Sequence, residues 1–479
     1  MESSSPTDTT PPQAITNENV HLMLTACQQG DIPTIQRLAT INKLYCCQQD
    51  NETGLSPLMI ASQSKINNGN GNGKQGNIEL VQFLLQEGNA PWNAVCRLKN
   101  KCAGDYATDS ENWDIVNLLV DWGTRAELIL GTLHKQLLSK QQQGQGAQEE
   151  VENDRQKQKP SSNSSIPVAE QSSTKTDYLQ HKLTYSTDNS TLIDEDNDAV
   201  MMEWERPIMK CHAQILLEDC LKQGDYKQRR VLNVGFGLGI IDTILQEDYQ
   251  PHVHYIIEAH PDVYNKMISD GWDKKPGVVI CYGKWQDILP KLRSEQYQQS
   301  NIDGSSGELE FDGIFFDTYA EHSYDMEDFH QQITMNTSQG DKSSLLSRPH
   351  GVYSFFNGLA PDNLFSHGVA CNVVKLQLST LGLDTDFLTC QMTAPTSTKN
   401  SHNNNATWDG IRRKYWHGRD VYYLPKATWN SIFIGRKTKN RMSSSSEGDN
   451  NDNDNDNDND NDAMMMTDDN ENDNKRQRR

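Results

Sequence analysis

The stretch Val231-Leu-Asn-Val-Gly235-Phe236-Gly237-Leu238-Gly239-Ile240-Ile241-Asp242 constrains this chain more than any other. An apolar, β-rich run enters a turn with three glycines in five positions, and helical spacing resumes behind it. Glycine adopts backbone angles that a Cβ forbids and lets the main chain approach a ligand closely. The next apolar run, Tyr255-Ile-Ile-Glu258-Ala259-His260, carries an acid at its end, 21 residues past Gly237 (258 − 237). In an open α/β sheet, ligands lie across the C-terminal ends of the strands. An acid at that tip can accept hydrogen bonds from ribose hydroxyls. A glycine turn that binds nothing and a nicotinamide enzyme are the rival readings. The dinucleotide fingerprint is G-x-G-x-x-G, whereas this loop reads G-x-G-x-G with Ile at 240.

The phrases around this turn alternate between strand and helix: VLNVGFG, IIDTILQ, HVHYIIEAH, DVYNKMISD, GVVICYG, FDGIFFDTY and GVYSFFNG. Apolar runs separated by helical stretches predict a parallel sheet with crossover helices. Gly283-Lys284-Trp285-Gln286-Asp287 follows the third strand and suits an adenine. Asp317, with Thr318 and Tyr319, ends the fourth. Upstream, Val200 to Met209 sets Glu203, Trp204 and Glu205 side by side. Taken alone, that segment reads equally well as the start of an amphipathic helix with solvated acids. Polar inserts near 294–307, 334–347 and 394–406 read as surface loops.

The first third carries shorter helical bursts, with Gly30, Gly88 and Gly123 placed where helices should stop. Ser56-Pro57-Leu58-Met59-Ile60-Ala61, and Gly76, Val81, Leu84, Leu85 and Gly88, resemble two phrases of the ankyrin repeat. The resemblance covers two to three repeats, interrupted by an Asn/Gly-rich insert at 67–76 that reads as a loop. The segments expected are a disordered start (1–17), an all-α ankyrin-repeat-like domain (18–138), a disordered linker (139–175), the α/β domain (176–440) and a disordered acidic tail (441–479).

Net charge is −22. From Ser443 onward, twelve acids face four bases, a net −8, which leaves −14 for the body. An acidic body repels nucleic-acid phosphates and favours basic partners. Ten cysteines without C-x-x-C pairs predict reduced thiols and no metal site. No apolar run is long enough to span a bilayer, so no membrane partner is expected.

The phrases VMMEWERPIM, VLNVGFGLGI, YIIEAHPDV, GKWQDILP and FDGIFFDTY resemble the fungal type IV protein arginine methyltransferases, and are similar to guanidinoacetate N-methyltransferase. The resemblance spans nearly all of the second domain, and the ankyrin-like half agrees with the fungal family. It implies a class I (Rossmann-like) methyltransferase domain that uses S-adenosyl-L-methionine. It places cofactor contacts on Phe236, Gly237, Leu238, Gly239, Ile240, Ile241, Glu258, Ala259, His260, Trp285, Gln286 and Asp317. Met209 and Met201 would flank the sulfonium, and Tyr178, rather than Tyr185, would cover the cofactor. Glu205 and Asp317 match the carboxylates that grip the guanidinium in the small-molecule relative. Tyr319, His322, His330 and Asn357 are further polar residues for which a plain structural role is as good a reading.

The resemblance also implies a monomer that modifies the δ-nitrogen of an arginine in a large-subunit ribosomal protein. The terminal KRQRR reads as a weak import signal, hence a cytoplasmic and nuclear location. The competing functions are a small-molecule guanidino methyltransferase and an ankyrin scaffold with an inactive second domain. The polar insertion between Leu289 and Glu308 departs from the compact family pattern.

Overall fold

Capping residues stand where the apolar periodicity begins, and three helix pairs follow. The computed structural model describes residues 15–67, 74–145, 178–223, 228–294, 309–319, 323–335, 344–361, 363–392, 408, 410–412, 415–416 and 421–431. Helix α1 (Asn17–Gln29) starts on Thr16, whose side chain accepts from the Asn19 N–H, and stops on left-handed Gly30. Asp31 caps α2 (Ile32–Ile41) and Ser56 caps α3 (Pro57–Gln63). Strands β1 (Lys65–Asn67) and β2 (Lys74–Gly76) pair antiparallel. Helices α4 (Ile78–Gln86), α5 (Ala103–Asp109) and α6 (Trp113–Gln145) complete the set. Helix α1 packs on α3, and α3 on α5, so the pairs stack. Met23, Leu38, Leu58, Leu84 and Leu119 fill their shared core.

Three sequence expectations change here. The first third is not all-α: the flanks of the Asn/Gly insert form the β1–β2 ribbon, in which the two backbones satisfy each other's polar groups. Gly123 does not stop a helix; it lies inside α6, where a Cβ would come within 2.8 Å of the Trp92 ring, so its small size serves close packing. Helix α6 also runs past 138 to Gln145, since Lys and Gln extend a helix already nucleated. Most of the expected disordered start, the rest of the expected linker (146–175), the three polar inserts for most of their length, and the tail lie outside the described residues.

The second part opens with a small antiparallel sheet, β3 (Thr184–Tyr185), β4 (Thr191–Ile193) and β5 (Ala199–Met202), followed by α7 (Arg206–Gln223). Then β6 (Arg230–Val234), α8 (Ile240–Ile244), β7 (Val253–Glu258), α9 (Pro261–Ser269) and β8 (Val278–Tyr282) alternate. After them come α10 (Trp285–Leu292), β9 (Gly313–Phe316), α11 (Ser323–Thr334), β10 (Val352–Phe355), α12 (Leu364–Thr380), β11 (Leu383–Gln391) and β12 (Val421–Trp429). The seven strands order as β11-β12-β10-β9-β6-β7-β8, with β12 antiparallel to both its neighbours. This is the mixed sheet of the Rossmann-like methyltransferase fold. The chain leaves β6 toward β7 and β8, then returns to lay β9 on the other side. A ligand crevice belongs at that reversal, above the tips of β6 and β9.

The helical part and the sheet share a core. Phe365 and Val369 of α12 pack among the residues of the first third. A Cβ on Gly104 would fall 2.2 Å from the Phe365 ring. Asn363 donates to Asp105 at 2.7 Å, Asn372 to Thr124 at 3.1 Å, and Lys135 pairs with Glu327 at 2.9 Å.

Candidate active site

The glycine turn is held by backbone contacts to the strands on either side of β6. Gly235, Gly237 and Gly239 all have positive φ, at 94°, 56° and 68°. The Gly235 N–H donates to Ile257 O, and the Asp317 N–H donates to Val234 O, both at 2.9 Å. A Cβ on Gly235 would lie 1.9 Å from the Asp317 carbonyl oxygen. The first glycine therefore joins the turn directly to the tip of β9.

Glu258, 7% exposed at the tip of β7, accepts the Phe236 N–H at 2.9 Å and the His260 N–H at 2.6 Å. Burial pushes its carboxyl up, and the hydrogen bonds from these N–H groups draw it back. The Met201 sulfur lies 3.3 Å from the Leu238 N–H and 2.7 Å from where a Gly237 Cβ would stand. Met209 is fully buried in the same cluster with Ile240 and Ile241. Tyr178 sits 5.2 Å from the His260 ring and 5.0 Å from Tyr319, centre to centre. Tyr185 also reaches the turn, donating to Gly237 O at 3.1 Å. Ala259 lies between Glu258 and His260, just outside β7.

Trp285 departs from the sequence picture. Its indole is buried in the core, edge-on to Phe316 and Phe329 at 6.2 and 5.2 Å. Any contact from it to an adenine would use the backbone at the start of α10, beside Gln286. An acid at a strand tip, a glycine cradle, a thioether and an aromatic pair converge on one crevice, and this set of groups fits S-adenosylmethionine.

The acceptor side is assembled from side chains. Glu205, 3% exposed, closes a 3-10 turn at Glu203–Glu205, with its Oε1 accepting the Met202 N–H at 2.8 Å. The Tyr415 hydroxyl donates to the same oxygen. Burial first, and the Asp317 charge second, push the Glu205 carboxyl up to about 8. Asp317, partly exposed at the crevice, is pushed up to about 7 by the surrounding protein. Among the described residues no Lys, Arg or His pairs with either acid. Two raised acids beside the crevice are an arrangement that can receive a cation.

Sequence reasoning missed the layer behind these acids. His212 lies fully buried between the Ser354 hydroxyl at 2.7 Å and the Tyr422 hydroxyl at 3.0 Å. Burial lowers its pKa to about 3, so it stays neutral. The Tyr422 hydroxyl also accepts the Asn357 N–H at 2.6 Å. Asn357 thus belongs to this layer, whereas His330 pairs with Tyr353 at 3.0 Å inside the sheet core. His322 lies outside the described residues. Cys211 and Cys390 are joined in a disulfide, against the expectation of reduced thiols, because residues of α7 and β11 meet in one apolar cluster. Among the described residues seven other cysteines form no disulfide, and no cluster of three metal-ligand side chains occurs.

Residues 169–370 match the family model for guanidinoacetate N-methyltransferase. The chain is 43% identical to Protein arginine N-methyltransferase 2 of Yarrowia lipolytica over 53% of its own length and 47% of that protein's. It is 33% identical to the protein of that name in Aspergillus fumigatus, over 85% of this chain and 95% of that one. The Saccharomyces cerevisiae protein of the same name is 32% identical over 74% and 78%.

Proposed function

The chain belongs to the Protein arginine N-methyltransferase 2 family, and on that footing we propose that it methylates an arginine guanidinium in a protein, using S-adenosylmethionine. The cofactor supplies an electrophilic methyl group on a sulfonium sulfur. The observation that carries the reading is the pair of acids with raised pKa, buried Glu205 and partly exposed Asp317, beside the glycine turn.

Guanidinium has a pKa near 12.5 to 13.8, and resonance leaves its nitrogens poorly nucleophilic. Two carboxylates hold the planar cation in one orientation and draw its positive charge away from the attacking nitrogen. Asp317, tied through its backbone to the turn, is placed to accept the proton that the nitrogen loses, while Glu205 orients the group. Alignment of two reactants is worth effective molarities on the order of 10⁵ M or more. Tyr178 and Tyr319 cover the crevice, and Met201 lines the turn.

The finer reading is transfer to the δ-nitrogen of a large-subunit ribosomal protein, by a monomer found in cytoplasm and nucleus. It rests on the family phrases, the acidic body and the basic terminus. The stacked helix pairs support an ankyrin-like module, and their shared core with α12 supports a docking platform fixed to the catalytic sheet. The guanidinoacetate family match favours a second reading, a small guanidino acceptor.

Labelled donor, offered with a ribosomal protein fraction and separately with guanidinoacetate, separates the two. Label in protein, located on the δ-nitrogen by fragmentation mass spectrometry, is the expected result. Label in guanidinoacetate alone would overturn the proposal.

A further inference from the structure

Two segments 210 residues apart in sequence meet at Glu205. Its Oε1 takes one hydrogen bond from the Met202 backbone and one from the Tyr415 hydroxyl. Tyr415 belongs to a stretch between β11 and β12 that is tied down at a second point. There the Arg412 guanidinium pairs with Asp198, Nε to Oδ1 at 2.8 Å, and the Arg412 N–H donates to Asn197 O at 2.9 Å. Asp198 lies just before β5, the strand that runs into the Glu203–Glu205 turn. Both anchors of the stretch therefore grip the element that carries Glu205.

Around these anchors the rings interlock. Trp204 lies 5.7 Å from Tyr415, 6.1 Å from Trp408 and 6.0 Å from Trp416, centre to centre, and Trp408 meets Tyr415 edge-on at 5.2 Å. A ring held on several sides has little freedom, so its hydroxyl keeps one direction.

Building on the acceptor reading above, we infer that Tyr415 is a positioning residue. Its hydroxyl fixes the Glu205 carboxylate, and the Trp204–Trp408–Trp416 wall holds Tyr415 in place. The hydrogen bond leaves the other Glu205 oxygen to the guanidinium and favours the ionised acid, against burial and the charge of Asp317. The titratable groups that act on Glu205 are Asp317 from the tip of β9, Tyr415 from the wall and Tyr422 from β12.

The test is Tyr415→Phe in the full chain, with donor affinity read by calorimetry and kcat/KM for an arginine peptide followed over about pH 6 to 10. The inference predicts unchanged donor affinity and a fall in kcat/KM of roughly tenfold or more. It also predicts an acidic limb moved to higher pH, because the carboxylate loses a donor that favours its charge. A profile that superimposes on the wild type overturns it.

Should Tyr415→Phe fail to fold, Arg412→Met decides. It loosens the same wall from a largely exposed side chain, so a smaller shift in the same direction is expected and an unshifted limb contradicts the inference. If the wild-type chain methylates no guanidinium, the functional reading fails separately. The Tyr415 contact is then read from infrared carboxyl bands: the substitution moves the titration of Glu205 upward if the contact holds, and leaves it in place if it does not.

Discussion

The donor half of the crevice is written in backbone, and the acceptor half in side chains. On the donor side, three glycines at positive φ, the Gly235–Ile257 and Asp317–Val234 hydrogen bonds, and the N–H groups received by Glu258 define the cradle. On the acceptor side, Glu205 and Asp317 hang on two distant elements; Tyr415 donates to Glu205, and the hydrogen-bonded Tyr422–His212 pair lies within the reach of both charges. A backbone cradle fails as a unit when its geometry is disturbed. A side-chain clamp can lose one function and keep its shape. The halves touch at Gly235, where the turn meets the Asp317 carbonyl.

Gly235→Ala attacks that junction and carries the largest expected effect. Its φ of 94° strains any side chain, at about 1–3 kcal/mol, and a Cβ 1.9 Å from the Asp317 oxygen adds a clash with backbone. Donor binding and turnover should disappear together, with a lower melting temperature. Retention of either one in a calorimeter or a turnover assay would show the halves to be independent.

The next contrast separates them. Glu205→Gln and Asp317→Asn should lower turnover by about 10² to 10⁴-fold with donor affinity nearly unchanged, since the acids face the acceptor. Glu258→Gln should do the reverse, weakening donor binding roughly tenfold while turnover at saturating donor changes little. Donor titrations and turnover on all three variants check the crossing. If all three lose donor affinity equally, the division is wrong.

The same division explains what could be read before the fold was known. Val231–Asp242 and Glu258 are legible because a backbone cradle is built from contiguous residues with a fixed meaning: glycine where φ must be positive, an acid at a strand tip. Glu205 and Asp317 were legible only through family phrases, since nothing local distinguishes Glu205 from solvated Glu203. Tyr415, Tyr422 and His212 were not legible. Tyr422 arrives on β12, the reversed strand inserted between β10 and β11, Tyr415 on the stretch before it and His212 on α7, and strand order leaves no mark on local periodicity. Trp285 stands in a polar phrase suited to an adenine, and α10 turns its indole into the core, a direction that local sequence does not encode. Gly123 looked like a helix stop because a glycine set against another ring has the same local pattern as a cap.

The central claim is that two acids with raised pKa values take up a cation. An acid held near 7 and another near 8 are partly protonated at neutral pH, and a guanidinium between them favours their ionised forms. Binding must therefore expel protons in the window spanned by those two values, and must expel few once the pH is high enough to ionise both acids beforehand. The direct measurement is calorimetric titration of an arginine peptide into the chain saturated with S-adenosylhomocysteine, at about pH 7.5, in buffers of different ionisation enthalpy. The account predicts a release of about one proton per peptide, fading above about pH 9 and absent in the Glu205→Gln/Asp317→Asn double variant. Binding heats that are independent of the buffer in the wild-type chain, or a release that survives in the double variant, would contradict it.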